Sequence, residues 1–463
     1  MSSEESESPQ RLGVTRRQLL ASGGLVAAAF VAGSTISQFT QSDANDERRA
    51  EPVEPVEPVE PARAASDPVD LSDWEAVRAR FDASYDTAHM AGMLLASHPQ
   101  RVREAIESYR QSLDANPVNA LNQYRERNEN RLNEDAEQWS MAAAGRYFGV
   151  DPANVALMGN TTMGLAMVYN GLHIEPDQEV LTGHWNHWAT EGSLQYRARK
   201  SGFDVRNAVI YDDLQTASEQ ELVDRLVDQI TSATRVVAVT WVHSVSGLKL
   251  PVGQMGRRID EINEERSTDD RIVFCVDGVH GFGVENAVMA DLNCDFFISG
   301  GHKWLYGPRG TGVVIADPQA WQFATPTIPT FSGHLTPGRQ FTPGGFHAFE
   351  HRWALNEAFE FHLDIGKARI EQRIHDMTGH LIEDLAQMDH VRLRTPTDSA
   401  LTAGIVTFEV NGRSTYEVTG HLRHRGIIAS TTPETHRIPR LTPTLLNDHS
   451  HIERTLTAIR ELR

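Results

Sequence analysis

The stretch Arg235-Val236-Val237-Ala238-Val239-Thr240-Trp241-Val242 is nearly continuous in β-branched and apolar residues. A strand with one wet face alternates apolar and polar residues, whereas a strand covered on both faces has no need to. This run therefore calls for a sheet with helices on both sides. Shorter apolar runs at Val155–Met158, Glu179–Thr182 and Asp204–Ile210 alternate with helical patterns between about residues 100 and 320. The alternation predicts an α/β fold, a mostly parallel sheet flanked by helices. Ligands in such sheets bind at the carboxyl ends of the strands. A long helical pattern over 356–388, a β-rich stretch over 403–410 and a last helix over 451–462 predict a smaller α+β C-terminal domain.

Two of the strand ends carry reactive side chains. One apolar run ends in Val276-Asp277-Gly278-Val279-His280, and the next, Phe296-Phe297-Ile298-Ser299-Gly300-Gly301, leads into His302-Lys303. Lys303 is one of only four lysines, beside Lys200, Lys249 and Lys367, against thirty-nine arginines. An amine sheds its proton where a guanidinium does not, so a chain this rich in arginine has kept lysine where a free amine is useful. A lysine and an aspartate on neighbouring strand ends suit pyridoxal 5'-phosphate. The amine forms a Schiff base, and the carboxylate keeps the pyridine nitrogen protonated. Gly159-Asn160-Thr161-Thr162 falls between a strand and a helix. The helix N-terminus offers free N–H groups and a positive dipole end to a phosphate.

These segments resemble the class V aminotransferase family of pyridoxal-phosphate enzymes, of fold type I, and most closely its isopenicillin-N-epimerase-like branch. The likeness runs from about Ser72 to the C-terminus. It implies a large cofactor-binding domain over 101–340, a small domain over 341–463, and a segment over 71–100 packed with the small domain. It implies that Lys303, Asp277 and His187 are catalytic, with the His187 ring stacked on the pyridine. Asn160, Thr161, Thr162, Ser244, His280 and His302 are implied to complete the cofactor site. Arg440, in Arg437-Ile438-Pro439-Arg440-Leu441-Thr442-Pro443, matches the family's carboxylate-binding arginine, with Arg437 as fallback. A planar guanidinium grips a carboxylate through two parallel hydrogen bonds, which points to an α-amino acid substrate.

Three departures narrow the expectation. The family places Ser or Thr three residues before the lysine, where this chain has Gly300. Either the phosphate cup is altered or Ser299 fills it from a shifted strand end. A Gly-Thr pair near residue 350, which reaches the partner subunit's phosphate in many members, is replaced by Phe349-Glu350-His351-Arg352, with Arg352 as the candidate substitute. The cysteine of desulfurases and selenocysteine lyases has no counterpart in Gly426-Ile427-Ile428-Ala429-Ser430-Thr431-Thr432. The expected enzyme acts on an amino acid through an external aldimine and a quinonoid, epimerase-like first, with aminotransferase, carbon–sulfur lyase and a cofactor-less binding protein as alternatives. The resemblance also implies a homodimer.

Net charge is −20, with no basic block, which argues against a nucleic-acid partner. The two cysteines, Cys275 and Cys294, sit in apolar runs and form no disulfide framework or metal spacing. His184 and His187 alone do not make a metal site. The N-terminus reads differently. Thr15-Arg16-Arg17-Gln18-Leu19-Leu20 precedes a short apolar run, Leu25 to Gly33. A basic front and an apolar centre predict an export signal or anchor over 1–40, of twin-arginine type, with the twin-arginine machinery as partner and a periplasmic or extracellular destination. Glu51-Pro52-Val53 then repeats through Pro61 within a linker over 41–70, where Pro at every third residue forbids regular helix.

Overall fold

A computed structural model describes residues 70–125, 136–330, 335–433 and 437–463. The Arg16-Arg17 pair, the apolar run after it and the Glu-Pro-Val repeat lie outside the described residues. Strand β1 (Ala88–Met90) joins a small sheet that is completed far downstream. The large sheet follows, with β2 (Val155–Met158), β3 (Glu179–Gly183), β4 (Asp204–Ala208), β5 (Thr234–Thr240), β6 (Val273–Asp277), β7 (Phe296–Gly300) and β8 (Gly312–Ala316). The small sheet ends with β9 (Val391–Leu393), β10 (Val406–Val410), β11 (Ile427–Thr431) and β12 (Pro439–Leu441).

The large sheet has the order β2-β8-β7-β6-β5-β3-β4. Strands β4, β3, β5, β6 and β7 are mutually parallel, and β8 lies antiparallel between β7 and β2. Every residue of β5 is buried. Its side chains alternate between two cores, Val237 and Val239 in one, Val236 and Ala238 in the other. Phe274 and Val276 of β6 oppose Val273 and Cys275 in the same way. The period of two with apolar residues at every position is what two-sided cover requires.

The small sheet has the order β1-β11-β12-β10-β9. Its own core packs Met90, Phe408, Val410, Ile427 and Leu441 against the helices Lys367–Ala386 and His449–Arg460. Three expectations shift in detail. The pattern over 356–388 is two helices, Leu355–Ile365 and Lys367–Ala386, because Gly366 takes φ +95 between them. A positive φ is cheap only for glycine and ends the first helix cleanly. Strand β5 leaves the ladder at Thr240, two residues short of the apolar run. The final helix begins at His449, after the Asp448 side chain accepts the His451 N–H at 3.1 Å.

Candidate active site

The carboxyl edge of the large sheet gathers the candidate residues. β6 ends on Asp277, β7 on Gly300 shortly before Lys303, β5 ahead of His243-Ser244, and β3 ahead of His184–His187. β2 and β7 both run antiparallel to β8, so they point the same way, and Gly159–Thr162 reach the same edge.

Asp277 is buried. Its carboxylate accepts the Val279 N–H at 3.2 Å and lies 3.5 Å from the Thr190 hydroxyl. Burial pushes its carboxyl up to about 6, against the pull of Val279, Lys303 and Thr190. Burial lowers the Lys303 amine to about 8, with Asp277 opposing and Arg440 reinforcing the fall. An amine in that range loses its proton near neutrality and becomes a nucleophile or base.

Two imidazoles share this field. His187 caps the helix Trp188–Ser201, its Nδ1 accepting the Ala189 N–H at 3.2 Å. Burial, then the charges of Lys303 and Arg440, lower it to about 4, so the ring is neutral. His280 is buried, and the same charges together with His187 add to burial in holding it far below an ordinary histidine.

The fit to a phosphate can be tested at β7. A Cβ on Gly300 would lie 2.8 Å from Thr161 Oγ1 and 3.1 Å from His302 Cε1. The helix start, the strand end and His302 therefore converge on a hollow that any larger residue would fill. His302 Nδ1 is buried and meets no hydrogen-bond partner of good geometry among the described residues. Asn160 spends its side chain on capping, its Oδ1 accepting the Met163 N–H at 2.8 Å. The N–H groups of Thr161 and Thr162, at the start of the helix Thr161–Gly171, have no intrahelical acceptor. These groups suit the phosphate of pyridoxal phosphate, with Asp277 and Lys303 placed for its ring and aldehyde.

Arg440 comes from the small sheet. It is buried, and its Nε donates to Ser430 Oγ at 3.1 Å and its Nη1 to the Ser244 carbonyl at 2.6 Å. Burial lowers it to about 10. Ser244 thus meets the site through its backbone. Arg437, the fallback, is exposed.

Two expectations are corrected. Ser299 does not fill the phosphate cup: β7 pairs with β8 in unbroken register, and alternation puts Ser299 on the face of Phe297, away from Thr161. Arg352 is buried within its own subunit and pairs with Glu137 at 3.3 Å, so it is not a free hand for a partner's phosphate. Two neighbours of the site went unread in the sequence. Thr190 lies in the first turn of the helix that His187 caps, and its hydroxyl faces Asp277. Trp304 directly follows Lys303, and its indole N–H reaches His280.

A family model described as Aminotransferase class-V matches residues 95–440. Isopenicillin N epimerase of Streptomyces clavuligerus is 25% identical over 358 residues, covering 73% of this chain and 85% of that protein. A probable cysteine desulfurase of Xylella fastidiosa is 24% identical over 430 residues, covering 86% of this chain and 97% of that one. A solved structure of the cystine C–S lyase C-DES, a mutant with glycine covalently linked to its PLP cofactor, superposes with a TM-score of 0.74 at 20% identity. That superposition covers 83% of this chain and 99% of the other.

Proposed function

This chain belongs to the class V aminotransferase family, with pyridoxal phosphate as its cofactor, and from that premise we propose that it moves the proton at Cα of an α-amino acid. The observation that carries the proposal is Arg440. A guanidinium this buried, bonded to a hydroxyl and a carbonyl and to no carboxylate among the described residues, needs an anion. The substrate α-carboxylate supplies it, within reach of the Lys303 charge.

Bound, pyridoxal phosphate supplies an electron sink for negative charge at Cα. The chain's residues do the rest. Lys303, at about 8, takes the Cα proton. Asp277 would hold the ring nitrogen protonated, its own position fixed by Val279 and Thr190. His187, neutral, would lie against the ring and help keep water off it. Arg440 fixes the carboxylate and so decides which bond at Cα faces Lys303.

Delivery of a proton to the opposite face by a second acid–base group makes an epimerase, the first reading, favoured by the likeness to isopenicillin N epimerase. Carbon–sulfur or other β-elimination is the second. It needs no cysteine, and both cysteines here are buried in strand-borne cores. Transamination is the third. Holoenzyme incubated in deuterated water with D- and L-amino acids separates them: α-deuterium with inverted chirality marks epimerisation, ammonia with a keto acid marks elimination. Arg440→Ala should raise the Michaelis constant for amino acids roughly ten- to a hundredfold and leave simple amines untouched. Equal losses for both would sink the amino-acid reading. We further propose a homodimer, checked by sedimentation. We propose export through the Arg16-Arg17 signal, which Lys at both positions should stop, leaving holoenzyme in the cytoplasm.

A further inference from the structure

Trp304 is almost wholly buried beside Lys303. Its indole N–H donates to Nδ1 of His280 at 3.3 Å. An indole nitrogen only donates, so Nδ1 must offer a lone pair. The contact excludes both the imidazolium and the tautomer protonated at Nδ1, and puts the single proton of the ring on Nε2. His280 Nε2 is not among the sealed polar atoms lacking a partner, and no described group accepts its proton.

The indole is itself wedged in place. A Cβ on Gly404 would lie 2.7 Å from its Cη2, and one on Gly283, at φ +84, would lie 2.7 Å from the Trp304 carbonyl carbon. Gly404 lets the backbone close on the indole and Gly283 lets it close on the Trp304 backbone, so the side chain is held at both its root and its ring.

We propose that Trp304 is a positioning residue that locks His280 as a neutral, Nε2–H hydrogen-bond donor facing the cofactor cleft. The lock has a chemical consequence. A ring already carrying its proton on the cleft side cannot accept another there while Nδ1 is engaged. His280 is thereby removed from competition as a base, and proton uptake at Cα falls to Lys303. The proposal rests on the reading that Lys303 and His280 border the bound cofactor, but its primary test does not.

In holoenzyme with isotope-labelled histidine, long-range proton–nitrogen correlation spectra report which imidazole nitrogen is protonated. His280 is assigned by its disappearance in His280→Gln. The expected wild-type signal is Nε2–H alone, unchanged as pH falls over the range where the protein stays folded. Trp304→Phe keeps the packing and removes the donor. It should let the Nδ1–H form or the imidazolium appear and lower kcat about five- to tenfold with little change in KM. Adding Trp304→Phe to His280→Gln should cost less than adding it to the wild type, because the amide has no tautomer to lose. A wild-type Nδ1–H or imidazolium signal overturns the proposal, even where the Phe variant fails to fold. So does a Phe variant whose His280 spectrum matches the wild type, or an equal cost in both backgrounds. Borohydride labelling of a lysine other than Lys303 would instead sink the functional reading and leave the tautomer result standing.

Discussion

Asp277 and Lys303 have opposite relations to pH. Burial raises the Asp277 carboxyl to about 6, while an unfolded Asp titrates near about 3.9. Its raised value means that the contribution of this group to stability is present below about 4 and lost as pH rises through about 6. Lys303 is lowered to about 8, so its contribution is present above the unfolded value of about 10.4 and lost as pH falls toward about 8. Cofactor-free wild type should lose on the order of 2–3 kcal/mol relative to Asp277→Asn between about pH 4 and pH 6, read from thermal melts. A difference that stays flat across that window would mean the carboxyl is not isolated in a dry site. Loaded with cofactor, the Asn variant should be slower by about a hundredfold or more, since an amide cannot hold a pyridinium. Asp277 and Lys303 were legible because each follows on an apolar run, and Lys303 is one of only four lysines. Thr190 and Trp304 were not, because a threonine in a helix and a tryptophan in an apolar run declare nothing until the partner they touch is known.

Among the elements, β7 and the helix Thr161–Gly171 make the phosphate hollow together. The hollow depends on Gly300 having no side chain. Gly300→Ala should crowd Thr161 and His302 and weaken cofactor binding by about 1–3 kcal/mol, while circular dichroism stays that of the wild type. Unchanged affinity in a cofactor titration would place the phosphate elsewhere. The strands that form this edge were readable from two-sided burial, which leaves a direct mark on composition. Strand direction leaves none. Nothing in Gly312-Val313-Val314-Ile315-Ala316 says that β8 runs antiparallel between two strands pointing the other way. The break at Gly366 was equally hidden, because the apolar period continues through it and a glycine inside a helical pattern is common enough.

At the scale of the whole molecule, the segment from Leu71 to Pro99 connects the C-terminal sheet to the lysine loop. β1 pairs in parallel with β11, and the Met90 carbonyl accepts the Thr442 N–H at 2.8 Å. Further along, the Ala96 N–H donates to the His302 carbonyl at 3.1 Å, and a His98 ring nitrogen lies 3.3 Å from the Tyr306 carbonyl. Phe81 packs edge-on against Tyr306 with centroids 5.1 Å apart. Tyr306 has φ 59, a left-handed conformation that costs a non-glycine residue about 1–2 kcal/mol. Such a residue persists only where its surroundings hold it. Here the holders are the N-terminal segment on one side and the Leu445 N–H, which donates to the Tyr306 hydroxyl at 3.0 Å, on the other. Removing the segment should therefore harm two properties at once. A chain begun at Asp70 should melt like the full protein and bind cofactor equally well. A chain begun at Gln100 should melt far lower and lose cofactor, because β11 is left with an open edge and Tyr306 can relax, carrying Lys303 out of line with Asp277. Phe81→Ala tests the same coupling more gently. It should cost about 3–5 kcal/mol in stability and weaken cofactor binding, although Phe81 is assigned no part in the chemistry. Should its stability fall with cofactor affinity intact, Tyr306 would be held from the Leu445 side alone, and the N-terminal segment would act on the fold without acting on the site.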